Sequence, residues 1–241
     1  MSADQAARPS WPARLQALSA AGKDPALAKF HAAMAEIDPA TPLAEVPMVA
    51  LDLETTGFDP HADAVVSIGL VPMDLRRIRL AGSRYWVVRP RREVEDASIL
   101  IHHITHEEID PAPDLVDILP ELLEAMAGRV VVVHYRQIER SFLDAVVQRR
   151  LGETMAFPLI DTMALEAWML RSNRHWGQRL ADRFKLRRRP GLRLGQVRER
   201  YGLPAYTPHH ALTDAIATAE LFHAQVAWHF DADTPIGNLW L

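Results

Sequence analysis

Hydrophobic positions along the chain fall into two alternating kinds of pattern. Met48-Val49-Ala50-Leu51-Asp52-Leu53 is a short apolar run that stops at Thr55-Thr56-Gly57, the signature of a buried strand ended by a turn. Ala64–Met73, Gly82–Val88, Arg129–Val133 and Phe157–Ile160 read as four further strands. The second and third are joined by a short connection around Arg76–Arg79, which predicts an antiparallel hairpin. Helical spacing marks Leu115–Met126, with Pro120 near its first turns or at a kink, and also Ile138–Arg150, 163–170, 194–201 and Ala211–Trp228. Three strands followed by two, with helices between the later ones, predict a five-stranded mixed α/β sheet flanked by helices.

The first 46 residues read differently. Leu15, Leu18, Leu27 and Phe30 suggest two short helices broken around Gly22–Pro25, and Pro39, Pro42 and Pro47 read as a linker. The pattern therefore divides into a helical extension with its linker (1–46), a main domain (47–230) and a C-terminal tail (231–241). The extension shows no chemistry of its own, and packing on the main domain or docking a partner are its two readings.

Composition narrows the class. Of 241 residues, 49% are hydrophobic and 24% charged, as in an ordinary globular protein. No apolar run approaches the ~18–20 residues of a membrane-spanning helix, and the start Met-Ser-Ala-Asp-Gln has no secretory pattern. The absence of cysteine excludes disulfides, thiolate zinc sites and cysteine nucleophiles, so a cytoplasmic location is expected. Only Lys23, Lys29 and Lys185 are lysines among 27 basic residues, and the rest are arginines. A GC-rich coding sequence is the plainer reason, although arginine's planar fork also suits phosphate. With a net charge of −4, any nucleic-acid site should be local.

Two clusters carry chemistry. Asp52 and Glu54 stand two apart at the end of the first strand, so both side chains leave on one face. Two carboxylates crowded there need a cation or a proton, and hard divalent ions favour such all-oxygen surroundings. In His209-His210-Ala211-Leu212-Thr213-Asp214, Asp214 falls in the first turns of the last helix and His209 on the loop that feeds it. The two can converge on one point.

Asp52-Leu53-Glu54-Thr55-Thr56-Gly57 and His209-x-Ala-Leu-x-Asp214 resemble the first and third motifs of the DEDDh 3′–5′ exonuclease family, which includes epsilon-like proofreading subunits and ribonuclease T. The resemblance runs from about Val46 to Trp228, and Ile101–Thr105 also looks like an epsilon-like segment. The middle motif departs from the family's His-Asn-x-x-Phe-Asp-x-x-Phe-Leu. Aligning His134 and Phe142-Leu143 puts Tyr135 in place of the Asn, Ile138 in place of the Phe, and Glu139 where the family has Asp. Glu keeps the charge but moves its oxygens by roughly 1.5 Å. Asp144 lies about 140° round a helix from Glu139 and should point elsewhere.

The resemblance implies a ribonuclease H-like fold with Asp52, Glu54, Glu139 and Asp214 around two divalent cations, Mg²⁺ or Mn²⁺. It makes Asp52 the shared ligand, places Glu54 and Asp214 with the nucleophile-side ion, and gives Glu139 to the leaving-group side. His209 becomes the general base, because it rather than His210 has the family's spacing to Asp214. The turn Thr55, Thr56 and Gly57 would hold the terminal nucleotide with its backbone amides, while Asp161-Thr162 is assigned a structural, helix-capping role. Arg171–Arg193 holds nine basic residues with Trp176 and Phe184 among them, and Arg187, Arg188 and Arg189 are its candidate strand-binding residues.

The resulting expectation is a metal-dependent 3′–5′ exonuclease on single-stranded nucleic acid, DNA rather than RNA. An exoribonuclease of the same family and a nucleic-acid-binding module with weakened catalysis are the alternatives. A polymerase or other replication partner and the oligomeric state stay open, and no membrane partner is expected.

Overall fold

The computed structural model describes residues 10–90, 105–172 and 190–241. Its chain runs α1 (Trp11–Ala21), α2 (Pro25–Ala35), β1 (Met48–Thr55), β2 (Val65–Asp74), β3 (Arg77–Ile78) and β4 (Arg84–Val87). It continues through α3 (His106–Ile109), α4 (Leu115–Met126), β5 (Val130–Val133), α5 (Glu139–Leu151), β6 (Leu159–Asp161), α6 (Thr162–Ser172), α7 (Leu194–Arg200) and α8 (Ala211–His229). Among the described residues, no helix is long and apolar enough to cross a membrane.

The sheet is mixed, in the order β3-β2-β1-β5-β6, with β4 also paired to β2. β1 and β2 are antiparallel, as are β2 and β4, so the expected hairpin is present. β5 and β6 add on in parallel. The five expected strands are joined by a sixth, the two-residue β3, which pairs Ile78 with Met73 inside the connection around Arg76–Arg79. Only two residues long, it carries no alternation that a pattern search can detect. α4 retains Pro120 within its length and opens with a capping box between Asp114 and Asp117.

Parity along β1 sorts its side chains between two layers. Val49, Leu51 and Leu53 face one core cluster, shared with Leu122 and Met126 of α4 and Phe142 and Val147 of α5. Met48 and Ala50 face the other, against Ala219, Phe222 and Val226 of α8. Asp52 and Glu54 continue that second face towards the start of α8, where the apolar residues give way to Asp214.

The terminal segments are part of these layers. α1 and α2 contribute Leu15, Leu27, Phe30 and Met34 to the first cluster, and Phe30 sets its ring edge-on to Phe157 with centroids 6.2 Å apart. Ile236 and Leu239 enter the second cluster, and the Leu43 amide donates to Thr234 O at 3.0 Å.

Candidate active site

Asp52 pairs across the sheet with Gly69, and Glu54 with Ser67, before a register shift that pairs Thr55 with Val65. Gly69 has a steric purpose. A Cβ there would fall inside the backbone of Ala211 and Leu212, so only glycine lets the first residues of α8 lie against β2. That contact brings Asp214 over the sheet beside Asp52. One oxygen from each of Asp52, Glu54 and Asp214 then lies within 4.8 Å of the others. Three carboxylates so close fit a hard divalent cation by the chemistry of their oxygens.

Glu139 stands beside this group rather than in it. It opens α5, is buried, and its Oε2 has no hydrogen-bond partner among the described residues. Burial first, then the charges of Glu139, Asp214 and Glu54, push the Asp52 carboxyl well above the usual range. Burial, with a further contribution from Asp161, pushes Glu139 up as well. Asp161 is the capping residue expected: its carboxylate accepts from the amides of Met163 (3.0 Å) and Ala164 (3.2 Å). It also accepts from the amides of Tyr135 (3.1 Å) and Arg136 (3.2 Å), binding the loop before α5 to the start of α6.

Tyr135 has a φ of 87°, in left-handed territory. Asn tolerates that region better than bulkier residues do, which is a physical reason for Asn in the motif that Tyr135 replaces.

His209 also has a left-handed backbone, with φ 70°, and is exposed. The conformation is held by Asp214, whose Oδ2 accepts the amides of His209 (2.7 Å) and His210 (3.2 Å). A carboxylate in the first turn of α8 also suits the positive end of the helix dipole. His210 turns away and stacks on Tyr85, with centroids 4.5 Å apart. Only one of the two neighbouring histidines faces the acidic cluster's cleft.

That cleft has a volume of about 1010 Å³, and Asp52, Glu54, Asp214 and His209 all line it. Thr55, the last residue of β1, and Thr56 and Gly57 just past it lie half-buried, and the residue of their turn that lines the cleft is Phe58. The Thr56 amide is already engaged by Ala64 O at 2.9 Å, so it is not a free donor for a nucleotide. Arg187, Arg188 and Arg189, with Trp176, Phe184 and 101–104, lie outside the described residues.

Sequence reasoning missed several residues of the site. Tyr206 donates its hydroxyl to Asp214 Oδ1 at 2.7 Å. His134, on the cleft wall, donates from Nε2 to Leu192 O, while Nδ1 faces Thr162 Oγ1, both at 2.8 Å. Burial holds its imidazole below the usual range, and its two ring nitrogens fasten the wall to Leu192 and Thr162. The available signals were His134's place at the head of the middle motif and Gly69, a glycine inside an apolar strand, which marks a close backbone approach.

Residues 49–222, well over half the chain, match the family model of ribonuclease T-type exonucleases, described as Exonuclease. The chain belongs to this exonuclease family. It is 31% identical over 174 residues to the DNA polymerase III PolC-type protein of Thermotoga maritima, covering 72% of this chain. It spans only 11% of that relative's length. The DNA polymerase III subunit epsilon of Treponema pallidum is 26% identical over 189 residues, covering 76% of this chain and 78% of its own. Among solved structures, the nuclease domain of 3′hExo, a DEDDh member bound to rAMP, superposes with a TM-score of 0.59 at 16% identity, covering 76% of this chain and 92% of that one. Exonuclease I of E. coli in complex with a dT13 oligonucleotide gives 0.58 at 14%, covering 77% and 41%. These identities show the common fold, and the expected ribonuclease H-like sheet flanked by helices is present.

Proposed function

We propose that this exonuclease removes nucleotides from the 3′ end of a DNA strand by hydrolysis, with two divalent cations, Mg²⁺ or Mn²⁺, and His209 as general base. The observation that carries the reading is the convergence of Asp52, Glu54 and Asp214 oxygens within 4.8 Å, on a cleft that His209 also lines. Cations bound there supply positive charge that makes water easier to deprotonate and neutralises the departing oxygen. Asp52, Glu54 and Asp214 would hold them, with Glu139 supporting the leaving-group side. The His209 imidazole takes a proton from the attacking water as its oxygen bonds to phosphorus and the bond to the 3′ oxygen breaks. Imidazole is the side chain most often used for that task.

For the strand, the cleft offers aromatic and cationic side chains. Phe58 is 84% exposed on its lining, and Arg193, also exposed there, suits a phosphate. The Arg187–Arg189 run and the Thr55–Gly57 turn, apart from the engaged Thr56 amide, are assigned to substrate as well. DNA is favoured over RNA by the epsilon relative, which matches this chain over most of both lengths. The same relative makes a polymerase the partner to seek, in the cytoplasm. A second reading, a binding module with weakened hydrolysis, draws on Glu139 standing outside the three-carboxylate group.

Labelled single strands of DNA and RNA, blocked at either end, test the proposal in Mg²⁺, Mn²⁺ or EDTA. A ladder from free 3′ ends that EDTA abolishes, faster on DNA, is expected. Degradation of 3′-blocked strands from the 5′ end would overturn the polarity, and tight binding without a ladder would favour the second reading.

A further inference from the structure

Beside His209 and Asp214 stands a side chain with no role assigned above, Tyr206. Its hydroxyl lies 2.7 Å from Asp214 Oδ1, and its ring lines the cleft. Oδ2 of the same carboxylate already accepts two amides, those of His209 and His210. A carboxylate has about four lone-pair sites, so three are committed to protein donors and the remaining one is on Oδ1. The tyrosine hydroxyl therefore decides how that last site is aimed.

Tyr206 is itself held firmly. The Arg198 guanidinium carbon sits 4.9 Å from its ring centroid. Arg198 is buried and donates to Ala217 O at 2.7 Å and Pro204 O at 3.1 Å, with Glu220 paired at 2.7 Å. Ala217 and Glu220 belong to α8, the helix that carries Asp214. The loop that presents Tyr206 is thus pinned through Arg198 to the same helix whose carboxylate it steadies.

We propose that Tyr206 is a positioning residue that orients Asp214 as a single-oxygen ligand and so raises the affinity of the acidic cluster for divalent cations. The inference rests on the metal-dependent reading above. Groups that hydrogen-bond to metal ligands typically change affinity or activity by about 10–100-fold when removed. The Tyr206 hydroxyl is the group that reaches Asp214, and Tyr206→Phe removes it while keeping the ring on the cleft wall.

The test is Mn²⁺ binding to the full chain, followed by electron paramagnetic resonance, for the native protein, Tyr206→Phe and Asp52→Asn. Phe retains the ring under Arg198, and thermal unfolding verifies that each variant is folded. We expect native binding, its loss in Asp52→Asn, and affinity weaker by about 10–100-fold in Tyr206→Phe. We further expect high Mn²⁺ to restore kcat in Tyr206→Phe, with KM for the strand unchanged. Native affinity in Tyr206→Phe, with Asp52→Asn unable to bind, would overturn the role of Tyr206 and leave the metal-dependent reading standing. Failure of the native protein to bind Mn²⁺ would overturn both.

Discussion

The backbone amide of His209 donates to Asp214 Oδ2 across 2.7 Å, so the proposed base and a proposed metal ligand share one hydrogen bond. The bond holds a left-handed histidine, a conformation that costs of order 1–3 kcal/mol without such support. Placement of the imidazole and orientation of the carboxylate are therefore one problem, solved once.

Replacing His209 should separate chemistry from binding. His209→Ala is expected to lower kcat by ~10²–10⁴-fold with little change in strand affinity. His210→Ala, which loses a stacked ring on Tyr85, should cost about 0.5–1.5 kcal/mol of stability while largely sparing turnover. Steady-state kinetics on end-labelled strands and thermal unfolding check both. Reversal of the two phenotypes would show that His210 is the base.

Asp52→Asn should stabilise the metal-free protein while abolishing hydrolysis. The folded carboxyl is raised above the ordinary 3.8, so the unfolded chain loses its proton first as pH rises. The cost of the buried charge thus appears above about pH 4 and grows with pH. In EDTA the variant should melt higher than the native protein at pH 8 and similarly near pH 4. Added Mn²⁺ should raise the melting temperature of the native protein only.

Glu139→Asp tests the departure in the middle motif. If the longer arm serves its cation, shortening it leaves hydrolysis equal or lower. A rise of about tenfold or more, equivalent to about 1.4 kcal/mol of barrier, would favour the weakened-module reading. Initial rates at saturating Mn²⁺ decide.

His31 gives the fold a pH dependence remote from the cleft. Burial lowers its pKa from 6.5 to about 4, against the charge of Glu153 and with that of Arg14. The unfolded chain therefore takes up a proton that the folded chain refuses between those values. Stability should fall as pH drops through that window, by up to about 3 kcal/mol. His31→Gln, which retains an acceptor for the Ala156 amide now held at 3.3 Å, should flatten the fall in urea titrations at pH 7 and pH 4.5.

Much of this architecture is legible in residue order because the signals are local. The apolar run at Met48–Leu53, its parity at Asp52 and Glu54, and the five-residue step from His209 to Asp214 each need only one element to be read. Gly69, Tyr206 and Arg198 act between elements. Their meaning depends on how closely α8 approaches β2 and on where the loop before His209 folds back. Glu139 is intermediate: alignment locates it, but whether its oxygens join the other three depends on side-chain reach.

The burial of Leu15, Leu27, Phe30 and Met34 beneath the sheet has a practical corollary for anyone shortening this chain. The family match begins at residue 49, yet a protein trimmed there would present bare methyl and phenyl surface where α1 and α2 now lie. Surfaces of that kind make proteins stick to one another. Poor yield or turbidity from such a truncation would then report a missing lid of helices, and would say nothing against the chemistry of the cleft on the opposite side of β1.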